Sequence, residues 1–310
     1  MRDWEKKVTE ILVRLAKDEA DIAYLFNPIV TFPDALLDMA VRSEIGIPIG
    51  DIRQSDLNKF STFSSNFAGI TNLSGMEYWT SLTNLDLSFN SIRDLTPLSR
   101  LTALTDLHLS HNSIVYLTPL SGLTALTILY CDNNSIIDLS PLSGITGLEI
   151  LFILANNIVD ISPLAGLTAL TTLNSNANNI TDISSLIGVM ASGNLDIGSN
   201  PLNVAAYHTD IPAIQATGVI VIFDPEPMPA AIAIAPTGGT TAGGDAVDIT
   251  GIGFLDGATA TIDGNPCTSV VFVSSTEITA VTPAGTIGAK DVVVTNDVQF
   301  GTAVAAFLYT

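Results

Sequence analysis

Positive charge is nearly missing from this chain beyond its first sixty residues. Eight of the eleven Lys and Arg lie before Ser61, and only Arg93, Arg100 and Lys290 follow, against 31 Asp and Glu overall. Binding to nucleic acid requires cations that displace counterions from phosphate, and a chain of net charge −20 repels phosphate and anionic lipid headgroups alike. The acidity suits solubility and separation from its own copies. Charge of either sign is also scarce, at 14%, while 47% of residues are hydrophobic. A surface of Ser, Thr, Asn and Gly, as on a solenoid or an all-β protein, reconciles the two figures. The two cysteines, Cys131 and Cys267, lie far apart and lack metal-type spacing, so no disulfide between them is expected. No run approaches the ~18 apolar residues of a membrane span. No apolar stretch follows Met1 within the first twenty residues, so neither membrane insertion nor a secretory leader is expected.

Catalytic signatures are missing as well. The Gly-rich stretch 238–244 is not followed by Gly-Lys-Ser/Thr, and reads as a turn between strands rather than a phosphate loop. There is no Gly-x-Ser-x-Gly elbow and no His-Glu-x-x-His pair. The expectation is a non-enzymatic protein with no catalytic residues, no cofactor and no metal.

What the chain does have is a repeat. Leu82, Leu104, Leu126, Leu148 and Leu170 recur every 22 residues, as do Leu85, Leu107, Leu129, Leu151 and Leu173. Asn90, Asn112, Asn134, Asn156, Asn178 and Asn200 keep the same interval, with an Ile two residues after each of the first five. Pro97, Pro119, Pro141 and Pro163 complete the pattern. Each repeat reads as one turn of a solenoid. Leu-x-x-Leu-x-Leu places a short strand on a concave face, with apolar residues inward and alternate residues outward. Neighbouring turns pair in parallel, because so short a strand cannot stand alone. The Asn amide satisfies backbone groups at the turn. Pro-Leu-x-x-Leu returns as 3₁₀ or short helical turns. Asp94, Asp138, Asp160 and Asp182 invite comparison with a calcium ladder. Their chemistry favours a structural role, a short acceptor fixing the turn that leads to Pro.

Degenerate repeats flank the regular ones. Phe60, Phe63, Ile70, Leu73 and Met76 stand one period before their counterparts, and Leu195, Ile197, Asn200 and Leu202 continue the register. Residues 33–46 read as a capping helix, with Pro near its start, Gly at its end, and Leu36, Leu37, Ala40 and Val41 on one face. Residues 206–224 read as a helix and a last strand closing the other end. The segments Phe32-Pro33-Asp34-Ala35-Leu36, Gly50-Asp51-Ile52 and Ile70-Thr71-Asn72-Leu73-Ser74-Gly75-Met76-Glu77-Tyr78 resemble the capped repeat domain of bacterial surface proteins. The 22-residue leucine-rich repeat itself resembles that of the internalins. That resemblance covers about residues 31–225 and implies the fold, with no particular ligand.

Past Pro225-Glu226-Pro227-Met228-Pro229 the composition turns to Gly, Thr, Val and Ala in alternating runs. Pro236, Gly239, Gly243-Gly244, Val247 to Phe254, Pro283-Ala284-Gly285, Gly288, Phe307 and Tyr309 resemble the IPT/TIG family, which implies an immunoglobulin-like sandwich. The expected fold class is multidomain: a leucine-rich-repeat solenoid with a parallel β-sheet on its concave face and a helical N-terminal cap, followed by an all-β immunoglobulin-like sandwich. The expected order is an amphipathic helical segment at 1–30, a cap and first degenerate repeat at 31–81, and repeats with a C-terminal cap at 82–225. A linker at 226–228 and the sandwich at 229–310 complete it.

The register names the outward columns of the concave strands. The first is Asn84, Asp106, Ile128, Ile150, Thr172 and Asn194; the second is Asp86, His108, Tyr130, Phe152, Asn174 and Asp196. The third is Ser88, Ser110, Asp132, Leu154, Asn176 and Gly198. Ile128, Tyr130, Ile150, Phe152 and Leu154 therefore form an outward apolar patch, with Asp132, His108 and Asp106 as its polar rim. Contiguous apolar surface of this kind marks a contact site. Trp4, Val8, Ile11, Leu12 and Leu15 share one helical face, which either packs on the solenoid or anchors the chain to a partner or a copy of itself, anchoring being the expectation. The expected function is binding or adhesion on an exterior surface, to a protein or glycan of a cell surface. Two alternatives are a phage virion protein (capsid decoration or fibre), docked to a virus-particle protein through the N-terminal segment, and an intracellular scaffold.

Overall fold

The computed structural model describes residues 27–296 and 299–310. The anchoring residues expected at Trp4, Val8, Ile11, Leu12 and Leu15 lie outside them. The solenoid opens with β1 (Ile29–Val30) paired antiparallel to β2 (Ile52–Arg53), with helix α1 (Ala35–Ile45) between them. The carboxylate of Asp34 caps α1 by accepting from the Leu36 and Leu37 amides at 3.0 and 3.2 Å. Its other oxygen accepts from the backbone of Thr71 and Asn72 at 2.8 and 3.1 Å, tying the cap to the first repeat. Gly46 ends the helix in the left-handed conformation, φ 71°, that a side chain would disfavour. Leu37 and Val41 are buried as expected; Leu36 is exposed, because Asp34 sets the helix so that residue 37 rather than 36 points inward. Helix α2 (Gln54–Leu57) follows β2 and buries Leu57.

One sheet of eight strands runs through the repeats: β3 (Thr62–Ser64), β4 (Asn84–Asp86), β5 (Asp106–His108), β6 (Ile128–Tyr130), β7 (Ile150–Phe152), β8 (Thr172–Asn174), β9 (Gly193–Asp196) and β10 (Val219–Ile222). The pairing is parallel and holds the sequence period, as in Leu85 beside Leu107 beside Leu129 beside Leu151. Each strand is three or four residues long and is held by its neighbours rather than by its own propensity. The return path is 3₁₀, at Thr96–Arg100, Thr118–Leu120, Ser140–Leu142, Ser162–Gly166 and Ser184–Leu186. Before four of these turns an Asp carboxylate accepts the backbone N–H two residues on, Asp94 from Thr96 and Asp138 from Ser140 at 2.9 and 2.8 Å, then Asp160 from Ser162 and Asp182 from Ser184 at 2.8 Å each. The expected structural role of these acids is what the geometry gives.

The repeating Asn joins the turns. Asn156 accepts from the Ile136 amide at 2.9 Å and donates to the carbonyls of Cys131 and Ile153 at 3.1 and 3.0 Å. Asn90, Asn112, Asn134 and Asn200 make the same set one period apart. Every such amide satisfies backbone groups of its own turn and of the turn before, where water does not reach. The Leu and Ile of the motif fill the space between sheet and return path, nearly all of them fully buried. Past the last regular repeat, a π-type turn at Ala206–Asp210 leads into helix α3 (Ile211–Gln215), and β10 pairs with β9 to close the sheet.

The second body is a sandwich whose strands pair antiparallel except for one short parallel pair at an edge. One sheet orders β11 (Ala230–Ala235), β13 (Ala246–Ile252), β17 (Glu277–Val281) and β16 (Thr268–Ser274). The other orders β12 (Gly238–Gly239), β19 (Gln299–Tyr309), β18 (Gly288–Asn296), β14 (Thr259–Ile262) and β15 (Asn265–Pro266). Ile249 and Ile278 from the first sheet meet Ile262, Val292, Val294 and Phe307 from the second in one buried core. Both cysteines are buried free thiols, and burial pushes Cys267 up to about 11.

Replacing Asn156 by Ala strands at least three buried backbone groups and is expected to lower stability by about 3 kcal/mol in urea unfolding. Asp138→Ala, at an exposed turn, is expected to cost much less.

Candidate sheet-face binding site

The strand register aligns side chains of successive turns. His108, Tyr130 and Phe152 are direct lateral neighbours on β5, β6 and β7, as are Asp106, Ile128 and Ile150. Their rings stack: His108 on Tyr130 with centroids 4.5 Å apart, and Tyr130 on Phe152 at 4.6 Å, inclined by 29° and 18°. The spacing follows from the parallel sheet, whose strands lie about 4.8 Å apart, close to the contact distance of two offset rings. Asp132 and Leu154 follow β6 and β7 by two residues each. All eight residues expected at the site thus lie on one face of three adjacent strands and the turns after them. None is fully exposed; each is half-buried, because in-register neighbours cover one another's flanks.

The acids on this face are held by neutral donors. Asp106 Oδ2 accepts from the Asn84 amide and the Thr105 hydroxyl, both at 2.8 Å. Asp132 accepts from the Ser110 hydroxyl and from the Asn133 amide. Asp86 accepts from Asn66 at 2.7 Å and from the Ser88 hydroxyl and amide at 2.7 and 3.0 Å. Burial disfavours ionisation of Asp86, but the bonds from Asn66 and Ser88 and the nearby His108 outweigh it, so its carboxyl titrates below the ordinary aspartate range. Among the described residues no His, Cys, Asp or Glu group is arranged to hold a metal ion.

A second ladder escaped the sequence reading. Phe67, Phe89 and His111 also stand 22 residues apart, each just before the repeating Asn position. Their rings stack at 4.1 and 4.2 Å, within 15° of parallel, and all three are exposed. Each adopts a left-handed backbone, φ 57°, 58° and 55°, a conformation that bulky side chains seldom take. The period of 22 carries the signal, but the residue type changes along it from Phe to His and then to Asn133 and Ala155.

The depressed Asp86 titration has a definite sign. Its ionisation contributes stability above the unfolded-state value, and that contribution is lost as pH falls through the lower folded-state value. Asp86→Asn is therefore expected to flatten the acid limb of stability below about pH 4, measured as urea midpoints across pH.

Comparison with known proteins agrees with this fold. A family model described as IPT/TIG domain matches residues 229–309, and one described as Leucine Rich repeats (2 copies) matches 80–124, 102–144 and 124–166. The crystal structure of an internalin (inlF) from Listeria monocytogenes is similar with a TM-score of 0.56 and 27% identity, over 62% of this chain and 56% of that one. An internalin C2 (inlC2) from the same organism is 33% identical over 62% of this chain and 94% of its own, with a TM-score of 0.49. A stretch of 61 residues, 19% of the chain, is 44% identical to fibrocystin-L of Mus musculus, of which it spans 1%. Leucine-rich-repeat and IPT/TIG domains are typically non-catalytic binding modules. Among the described residues no helix is long and apolar enough to cross a membrane. The chain joins an internalin-like leucine-rich-repeat domain to an IPT/TIG domain.

Proposed function

We propose that this is a non-enzymatic recognition protein whose leucine-rich-repeat sheet face, centred on Tyr130 and Phe152, binds a protein displayed on a cell surface. The observation that carries the reading is the ring stack His108–Tyr130–Phe152, flanked by Ile128, Ile150 and Leu154 and edged by Asp106 and Asp132. Outward positions of a repeat with no partner are served by Ser, Thr and Asn, as at Thr172, Asn174 and Asn194 of the later turns. Placing two rings and three aliphatic side chains there instead costs solubility, and a contact surface accounts for it. Aromatic side chains ringed by polar groups are also the usual anchors of protein interfaces.

Residues 31–225 act in this reading as the recognition domain and 229–310 as a spacer or second interaction module, both on an exterior surface. Low positive charge and a Ser-, Thr- and Asn-rich surface suit an exposed location, and the internalin-like repeats support it.

Two measurements test the proposal. Fractionation of the native source is expected to place the chain on cell surfaces; co-sedimentation with virus particles would make it a virion component, and a cytosolic pool would end the exterior reading. Labelled full-length protein is expected to bind cells of its target. Tyr130→Ser with Phe152→Ser should weaken that binding by about tenfold or more, while Ile137→Ser with Val159→Ser, two exposed positions off the sheet, should not. Equal binding by the two double variants would refute a sheet-face site.

A further inference from the structure

Among the described residues the apolar stack sits on a face whose fixed charges are carboxylates, with His108 beside Asp86. Asp86 and Asp106 lie on β4 and β5, Asp132 follows β6, and Glu44 projects from α1. No Lys or Arg occupies any strand of the repeats; beyond Ser61 the solenoid has only Arg93 and Arg100, on the turn and on the 3₁₀ return path. The carboxylates are oriented by hydroxyl and amide donors, which fix their direction without neutralising their charge. Asp106 commits Oδ2 to both of its donors, and Oδ1 has no hydrogen bond among the described residues. Among the described residues, no Lys or Arg is paired with Asp86, Asp106 or Asp132.

The face also has room for a cationic group. A hollow of about 320 Å³ is lined by Glu44, Asp86, Asp106, Asn84 and His108, at the small end of ligand pockets, which run from about 300 to 1,000 Å³. His108 is common to the hollow and to the ring stack, so the two are continuous. The lining acids come from separate turns and from the cap, too dispersed to close around a bare metal ion. Their spread suits a long side chain with a delocalised or multiply donating head. Guanidinium and ammonium groups are also attracted to nearby aromatic faces.

We infer that the sheet face takes a basic polypeptide segment of its partner, with an arginine or lysine head in the hollow beside His108 and the segment's apolar side chains on the Tyr130–Phe152 stack. This deepens the sheet-face reading above and rests on it. The acids steer the encounter and set specificity, and the rings and aliphatics hold the complex. The later turns carry Asn174, Asn176 and Asn194 with Asp196 in the same columns, and no ring stands among them.

The test uses the full chain and three labelled peptides of equal length, built from Arg-Gly, Ser-Gly and Glu-Gly repeats, in fluorescence anisotropy across a salt series. The Arg-Gly peptide is expected to bind about tenfold tighter than the Ser-Gly peptide at low salt, with the preference shrinking as salt rises. Asp86→Asn with Asp106→Asn should remove that preference. Asp248→Asn with Asp256→Asn takes the same charge from exposed sandwich positions and should change it less than about twofold. Equal losses in the two double variants would mean that net charge alone draws the peptide, and would overturn the inference. So would the lack of any preference for the Arg-Gly peptide, including no binding at all. The two failures separate cleanly. If Tyr130→Ser with Phe152→Ser abolishes binding to target cells while Asp86→Asn with Asp106→Asn leaves it intact, only the basic-partner inference falls. If neither pair matters, the sheet-face reading falls with it.

Discussion

The solenoid depends on one recurring arrangement, an asparagine amide that bonds backbone of two successive turns. A strand of three residues has too few ladder bonds to persist alone, and a tight turn leaves N–H and C=O groups facing the core. The amide answers both needs, since its oxygen takes an N–H twenty residues back and its nitrogen serves carbonyls three and twenty-five residues back. The spacing of the turns is thereby locked to the spacing of the strands. Leucines stacked at identical heights then fill the interior, and the hydrophobic core extends turn by turn, closed at one end by α1 and at the other by α3 and β10.

The same lock governs the outside. Because the register never slips, whatever residue type occupies an outward position in consecutive turns becomes a column of touching side chains. Serines, threonines and asparagines give a polar strip, whereas His108, Tyr130 and Phe152 give a stack that shields its own faces. The proposed interaction surface costs the fold little, as it occupies positions that the repeat leaves open. The variable letters of the repeat set the chemistry of the face, and the constant ones set its stability.

Much of this was legible in the residues alone. The interval of 22, the inward Leu positions, the Asn ladder, the Asp-led turns and the Gly-rich strands of the sandwich each have local chemistry that dictates their role. The columns of the sheet face could be written out by counting. Burial on that face could not: Tyr130 and Phe152 counted as outward, and the structure shows them half-buried against each other. Leu36 counted as inward and is exposed, because the cap geometry at Asp34, rather than the apolar pattern, sets the rotation of α1. The exposed stack of Phe67, Phe89 and His111 went unread because it lies in the left-handed residue after the strand, where alternation no longer tells inside from outside.

By itself the sequence determined the architecture, since a strict period combined with one amide and three leucines per turn admits a single way to bury the apolar groups and pair the backbone. Only the tertiary structure decided what the outward residues become together. The hollow beside His108 takes Glu44 from the cap helix, Asp86 from one turn and Asp106 from the next. A period identifies which residues share a face, but not how closely they approach, who covers whom, or which residue outside the repeat leans over the edge. Those are matters of distance between segments far apart in the chain, and they are settled only once the turns are stacked.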